Sequence, residues 1–312
     1  TNSLDGFPYS PDGEHVIIEH KKDKEMFKKL ERNCDLIEKY NGTCDDRIRV
    51  TLGPTEPPAC RPELLKEVRK LSETYKVPIT MHAAETKIER EYIKNEYGKD
   101  SIFYLYENGI VGPDVILAHT VYANEEEKKL LAETKTNVAH CPSVFVIRGR
   151  YMKSLQHYTD LGINVGIGTD TFPQDMIREM RVATSMSKVA DNDFRSAKSE
   201  LLIKCATKNG AKALNRDDIG CIKVGAKADI AIVDMCDFNT VPVRDPVRVL
   251  ISCGTSHNVT DTIVNGKILM ENKIVKSMNK EQVCKEALVA TETIWSRIPN
   301  LNKLSPLSVN IE

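Results

Sequence analysis

Apolar residues recur along this chain with two different periods, and the alternation between them predicts its elements. From Lys24 to Tyr40, Met26, Phe27, Leu30, Cys34, Ile37 and Tyr40 fall three or four apart, the spacing of one helix face, and Asn41-Gly42 marks its end. A strand is expected over Arg47 to Leu52. The proline-rich loop Gly53 to Cys60 then leads to a helix over Pro62 to Tyr75, with Leu64, Leu65, Val68 and Leu71 on one side. In VPITMHAAET the period changes to two: Val77, Ile79 and Met81 share one strand face, while Pro78, Thr80 and His82 share the other.

The same alternation continues. A helical region from Lys87 to Asn108, broken near Gly98, precedes a strand Val115 to His119, a helix Asn124 to Thr134 and a strand Asn137 to Cys141. A helix near Lys153 to Leu161, a strand Asn164 to Asp170 and helices over Gln174 to Val189 and Phe194 to Leu214 follow. Strands separated by helices predict a parallel sheet with helical crossovers. Five strands precede Asp170, whereas a closed barrel has eight. Beyond Leu214 the texture changes to strands at Asp229 to Asp234 and Asp261 to Ile268, with Val264-Asn265-Gly266-Lys267 as a hairpin turn, and a helix from Lys280 to Ile298. The expected division is a barrel portion over 1–214, β-sandwich strands over 215–278, and a C-terminal helix and tail over 279–312.

Composition narrows the classes. Lys and Arg number 44 against 45 Asp and Glu, so no basic surplus points to nucleic acid. No apolar run approaches the roughly 18 to 20 residues of a membrane span. Nine cysteines, an odd number without any Cys-x-x-Cys, fit reduced thiols in a cytoplasmic enzyme and do not suggest a disulfide framework or a thiolate zinc site. The chain opens at Thr1, and TNSLDGF lacks the basic start and apolar centre of a signal peptide, so a cropped or processed N-terminus is expected.

Candidate chemistry gathers at strand ends. His82 ends VPITMH, His119 ends VILAH and Asp170 ends NVGIGTD, whose alternate residues Asn164, Gly166 and Gly168 are small enough to leave space at a barrel centre. Singly, each has an ordinary structural reading; Asp170, for instance, would cap a helix before Phe172-Pro173. Two imidazoles and a carboxylate from separate strand ends, with Glu85 three residues beyond His82, are together what a hydrolytic metal site requires. A divalent cation makes hydroxide available near neutral pH. A carboxylate that is not a ligand, here Glu85, then carries protons to the leaving group.

HAAET at His82, LAHT ending at Thr120, AHCPS at Ala139 to Ser143 and GTD at Gly168 to Asp170 resemble the amidohydrolase superfamily, in particular its cytosine deaminase and triazine hydrolase branch. NGAKAL at Asn209 followed by IGCIKVGAKADIAIVD is similar to that family's return from a TIM-type (β/α)8 barrel to a β-sandwich. The resemblance implies His82 as a metal ligand on the fifth barrel strand and Glu85 as the proton shuttle. It implies His119 as a ligand or water-orienting residue on the sixth strand, and Asp170 as the eighth-strand ligand and second proton acceptor. The implied reaction is attack of hydroxide from metal-bound water on a ring carbon of a small nitrogen heterocycle, with loss of ammonia or an amine. Hydrolysis of a cyclic amide and a non-catalytic fragment of the same fold are the alternatives. Zinc is the expected metal, with iron as the alternative. The partner is the small-molecule substrate, with neither nucleic acid nor membrane, and a homodimer is allowed for.

Three departures shape these expectations. The family's first-strand His-x-His pair occurs nowhere in the 312 residues, and His15 and His20, five apart in a polar segment, are poor substitutes. The first barrel strands are therefore expected to be missing from this polypeptide. HCPSVFVIRGR stands where many relatives carry HCPSSN, which makes Phe145 and Arg148 candidate substrate contacts, with Asp175 in the altered loop GTDTFPQDM a third. GPTEPPAC lacks the histidine of nucleoside-acting relatives. RIRVTLGP ends without the lysine of binuclear members, so a single metal is expected.

Overall fold

A computed structural model describes residues 23–171 and 173–296 of the chain; His15, His20, Phe172 and the expected end of the last helix at Ile298 lie outside the described residues. The chain divides into two compact units, one running to Ala228 and including Asp234–Asn258, the other made of Asp229–Val233 and the residues from Val259 onward.

The first unit opens with α1 (Asp23–Tyr40) and an irregular turn α2 (Thr43–Asp46), then a 3-10 turn at Pro57–Ala59 and α3 (Pro62–Tyr75). Next come β1 (Ile79–Ala83), α4 (Lys87–Tyr97), α5 (Ser101–Glu107), β2 (Val115–His119), α6 (Glu125–Glu133) and β3 (Asn137–His140). They are followed by α7 (Pro142–Ile147), α8 (Leu155–Asp160), β4 (Val165–Ile167), α9 (Met176–Asp191), α10 (Ser199–Lys204) and α11 (Gly210–Ala213). β1 to β4 form one parallel sheet in sequence order, the β/α alternation that the hydrophobic pattern predicts. In β1 the buried residues are Ile79, Met81 and Ala83, with Thr80 and His82 less enclosed, so the period-two reading holds. Parallel pairing sets Ala83 beside His119 and His140 beside Ile167, which brings the carboxyl ends of the strands to one edge of the sheet.

Several expectations change. Arg47 to Leu52 is not a strand: Leu52 alone makes a parallel bridge, to Ile79. Side-chain amides have taken the backbone groups that a ladder would use, since Val50 N–H donates to Asn41 Oδ1 and Asn33 Nδ2 donates to the Thr51 carbonyl. The last parallel strand stops at Ile167. Its glycines do not leave open space, because a Cβ on Gly168 would sit 3.2 Å from Cys141 Sγ and one on Gly166 would sit 3.5 Å from the Gly210 backbone. The helix expected from Phe194 begins at Ser199 and passes through a π turn at Cys205–Asn209. α7 is an unanticipated helix, too short to show a period.

The second unit is an antiparallel sheet of β5 (Ile230–Val233), β6 (Val259–Val264), β7 (Lys267–Glu271) and β8 (Ile274–Val275), followed by α13 (Lys280–Ser296), as the change of texture beyond Leu214 predicts. Val264 pairs with Lys267 across Asn265-Gly266, whose φ values of 48° and 77° are those of a type I′ hairpin turn, as the sequence predicts. Asp234–Asn258, within the stretch expected to give sandwich strands, belongs to the first unit instead. It contains α12 (Pro246–Cys253), where Arg181 of α9 donates to the Ile251 carbonyl at 2.8 Å. All nine cysteines are free, and among the described residues no helix is long and apolar enough to cross a membrane.

Candidate metal centre

The three predicted strand ends meet. Ligand-capable atoms of His82, Glu85 and His119 lie within 4.8 Å of one another. His119 Nε2 is 4.0 Å from Asp170 Oδ2, and the His82 and His119 rings stack with centroids 5.2 Å apart. The backbone that delivers them is bent at each strand end: Ala84, His119, Thr120 and Asp170 have φ values of 47°, 76°, 50° and 59°. Left-handed backbone costs a non-glycine residue about 1 to 2 kcal/mol. Four such residues where three strands end mark a place where geometry is held against local preference.

Hydrogen bonds do the holding. Thr120 N–H donates to the Ala83 carbonyl, and Tyr122 N–H to that of Ala84. The buried Glu89 carboxylate accepts from the Ala84 and Glu85 amides, both at 2.7 Å, so the loop bearing Glu85 is tied to α4. Thr86 caps the same helix by accepting from Glu89 N–H.

The donor set suits a divalent cation. His82 Nδ1 lies 2.8 Å from the Thr55 carbonyl, an acceptor only, so Nδ1 carries the proton and Nε2 keeps its lone pair for a metal. His119 Nδ1 is buried without a hydrogen-bond partner among the described residues. Burial, reinforced by His82 and Arg148, pulls the His119 pKa down to about 4, which leaves the ring neutral. Burial pushes the Glu85 carboxyl above the usual carboxylate range despite the opposing effect of His82. The residues present therefore fit the metal that the strand-end pattern implies.

The remaining predicted contacts are less uniform. Phe145 is buried and meets His119 edge-on, centroids 4.8 Å apart. Arg148, exposed at the end of α7, lowers the pKa of both Glu85 and His119 by its charge. Asp175 caps α9, with Oδ1 accepting from the Ile177 and Arg178 amides at 3.0 and 3.1 Å, and its placement is that of a helix cap. Sequence reasoning missed Thr55, which acts through a backbone carbonyl and leaves no side-chain signal. It also missed Glu89, although Thr86-x-x-Glu89 has the spacing of a helix N-terminus. Glu56 was missed as well: beside Glu89, Glu85 and His82, this partly buried carboxyl is pushed up to about 7, chiefly by burial.

The Amidohydrolase family profile matches residues 11–269. Among curated relatives, the chain is 32% identical over 264 residues to a 5-methylthioadenosine/S-adenosylhomocysteine deaminase of Pelotomaculum thermopropionicum, covering 83% of this chain and 61% of that protein. It is 31% identical over 290 residues to a 5'-deoxyadenosine deaminase of Methanococcoides burtonii, covering 92% of this chain and 67% of that protein. Among solved structures it superimposes on an adenosine deaminase from Xanthomonas campestris with bound zinc, with a TM-score of 0.83 and 26% identity, over 89% of this chain and 63% of the other. The chain thus spans about two thirds or less of the length of these relatives.

Proposed function

This chain belongs to the amidohydrolase family, and on that premise we propose that it is a metal-dependent aminohydrolase acting on a small nitrogen heterocycle, with the adenine ring of a nucleoside as the substrate class. The observation that carries this reading is the convergence of His82, Glu85 and His119 within 4.8 Å at the ends of neighbouring parallel strands. The adenosine-type activities named for the relatives favour the adenine ring, while the histidine missing from GPTEPPAC makes free heterocycles the competing substrates.

His82 and Asp170 would hold one divalent ion, zinc or, failing that, iron, with His119 as a further ligand or as the residue that orients the attacking water. When bound, such an ion acidifies water so that hydroxide is available near neutral pH. Thr55 fixes the His82 ring through the bond at Nδ1. Asp170, at the rim with its side chain about one-third exposed, takes the proton given up by the attacking water. Glu85, tethered through its amide to Glu89, delivers a proton to the ring nitrogen as the attacking oxygen bonds to the ring carbon. The proton held by Asp170 then passes to the exocyclic amine, which leaves as ammonia when the C–N bond breaks, and the remaining hydroxyl proton returns to Glu85 as the carbonyl forms. Neutral His119 accepts a hydrogen bond from the attacking water, a role its depressed pKa favours. Phe145 and Arg148 line the approach to His119, Phe145 as an apolar wall and Arg148 as the cation that meets an electronegative group on the substrate. Asp175 sets the loop between Asp170 and α9. The nine free thiols suit a cytoplasmic setting, and a homodimer is the assembly to test by sedimentation.

The deciding experiment pairs metal analysis of the full-length protein with ammonia release on adenosine, 5'-deoxyadenosine, methylthioadenosine, cytosine and triazines. About one metal per chain and turnover of an adenine nucleoside are expected. Absence of stoichiometric metal, or release from none of these rings, overturns the reading.

A further inference from the structure

The helix that carries Phe145 and Arg148 is held from outside itself. α7 has six residues, and helices this short do not persist on their own. Its N-cap Cys141 supplies no side-chain acceptor. The amide of Ser143 in its first turn donates instead to Glu179 Oε2 at 3.0 Å, a carboxylate 36 residues later on α9. Glu179 is 1% exposed, and its Oε1 and the nearby Ser143 Oγ are both buried without hydrogen-bond partners among the described residues. Burying a carboxylate with half its acceptors idle is costly, and packing alone would favour an apolar residue. What the carboxylate secures is the position of α7, where Cys141, Val144 and Phe145 form an apolar cluster with Val121 and the Phe145 ring abuts His119.

We propose that Glu179 is a positioning residue of this site: from α9 it fixes α7, and through α7 it places Phe145 against His119 and Arg148 at the entrance. Its kinetic consequence rests on the aminohydrolase reading above, whereas its structural consequence does not. The same helix offers an internal control. Ser187 Oγ accepts from Leu155 N–H at 3.2 Å in the first turn of α8, as Glu179 does from Ser143 in α7, although α8 also has its own cap in Ser154; α8 lies away from the residues assigned to the site.

The test compares Glu179→Ala, Glu179→Gln and Ser187→Ala in the full-length, metal-loaded protein. Backbone hydrogen exchange of the 142–148 peptide is read together with metal content, kcat and KM. Glu179→Ala is expected to speed exchange in that peptide about tenfold or more and to lower kcat/KM roughly 10- to 100-fold at unchanged metal content, since displacements near 1 Å are enough for such losses. Glu179→Gln keeps a carbonyl acceptor for Ser143 and is expected to restore both readouts to within about threefold. Ser187→Ala is expected to change exchange only around α8 and to leave kcat/KM alone. Unchanged exchange at 142–148 in Glu179→Ala overturns the proposal, as does a kcat/KM no lower than that of Ser187→Ala. A protein that turns over no heterocycle fails the aminohydrolase reading, while the exchange arm still decides whether Glu179 positions α7.

Discussion

Glu85 and His82 have different burdens, and single substitutions should separate them. Glu85→Gln keeps the size of the side chain and its tether to Glu89 but cannot release and regain a proton, so turnover should fall by about 10² to 10⁴ while bound metal is retained. Undiminished turnover would remove Glu85 from the chemistry. His82→Ala and Asp170→Ala should instead lose metal, as read by elemental analysis after dialysis. His140, at the end of β3, tests the cost of a buried imidazole: its pKa is pulled down to about 3, chiefly by burial and further by His119. A histidine in the unfolded chain titrates near 6.5, so as pH drops below that value the unfolded chain binds a proton the folded chain refuses. The stability present above about 6.5 is therefore lost progressively toward pH 3. Denaturant midpoints at pH 7.5 and 4.5 should show a shallower decline for His140→Asn than for the parent protein. At this scale His82, Glu85, His119 and Asp170 were legible because each is a chemically distinctive residue at the end of a patterned strand. Thr55 and Glu179 were not, since one acts through its backbone and the other from a helix 36 residues beyond its partner.

Elements here are joined by buried carboxylates more than by long helices. Glu127, on α6, accepts from the Ile102 amide with Oε1, and from Arg90 Nη1 at 2.5 Å and the Asn124 amide with Oε2, which ties α4, α5 and α6 together. Glu127→Ala strands the buried Ile102 amide and leaves the Arg90 guanidinium with Asp100 alone, 3.3 Å away, and should destabilise by about 1 to 3 kcal/mol in chemical denaturation. A loss under 1 kcal/mol would show that water replaces those bonds. The parallel strands with long apolar cores and the Asn265-Gly266 hairpin were readable from period and turn chemistry. Arg47 to Leu52 misled because β-compatible residues do not reveal that Asn33 and Asn41 will claim the backbone groups. α7 and α12 escaped because six to eight residues following a proline carry too little periodicity to stand out from a loop.

For the whole molecule, metal removal should act on the first unit, which carries His82, Glu85, His119 and Asp170. On the proposed ligand set of His82, Asp170 and His119, a cation would bind only the folded first unit, and at about a thousand times its Kd would contribute about 4 kcal/mol there by mass action. Chelation should lower the melting transition that reports on the first unit, as followed by hydrogen exchange in β1 to β4, and leave exchange in β5 to β8 unchanged. Equal changes in both would show that the ion's effect is not confined to the candidate centre.

By itself the sequence determined the kind of fold and the kind of chemistry. Short apolar strands alternating regularly with helices bury themselves most readily as a parallel sheet with crossovers, and such a sheet brings residues at strand ends to one edge. Only the tertiary structure decided which atoms face one another there. It turned His82 Nε2 free by spending Nδ1 on Thr55, bent Ala84, His119, Thr120 and Asp170 into left-handed backbone, and set α7 against His119 through Glu179. Those outcomes depend on contacts between residues tens of positions apart, and a local pattern of hydrophobic and polar residues carries no record of such distances.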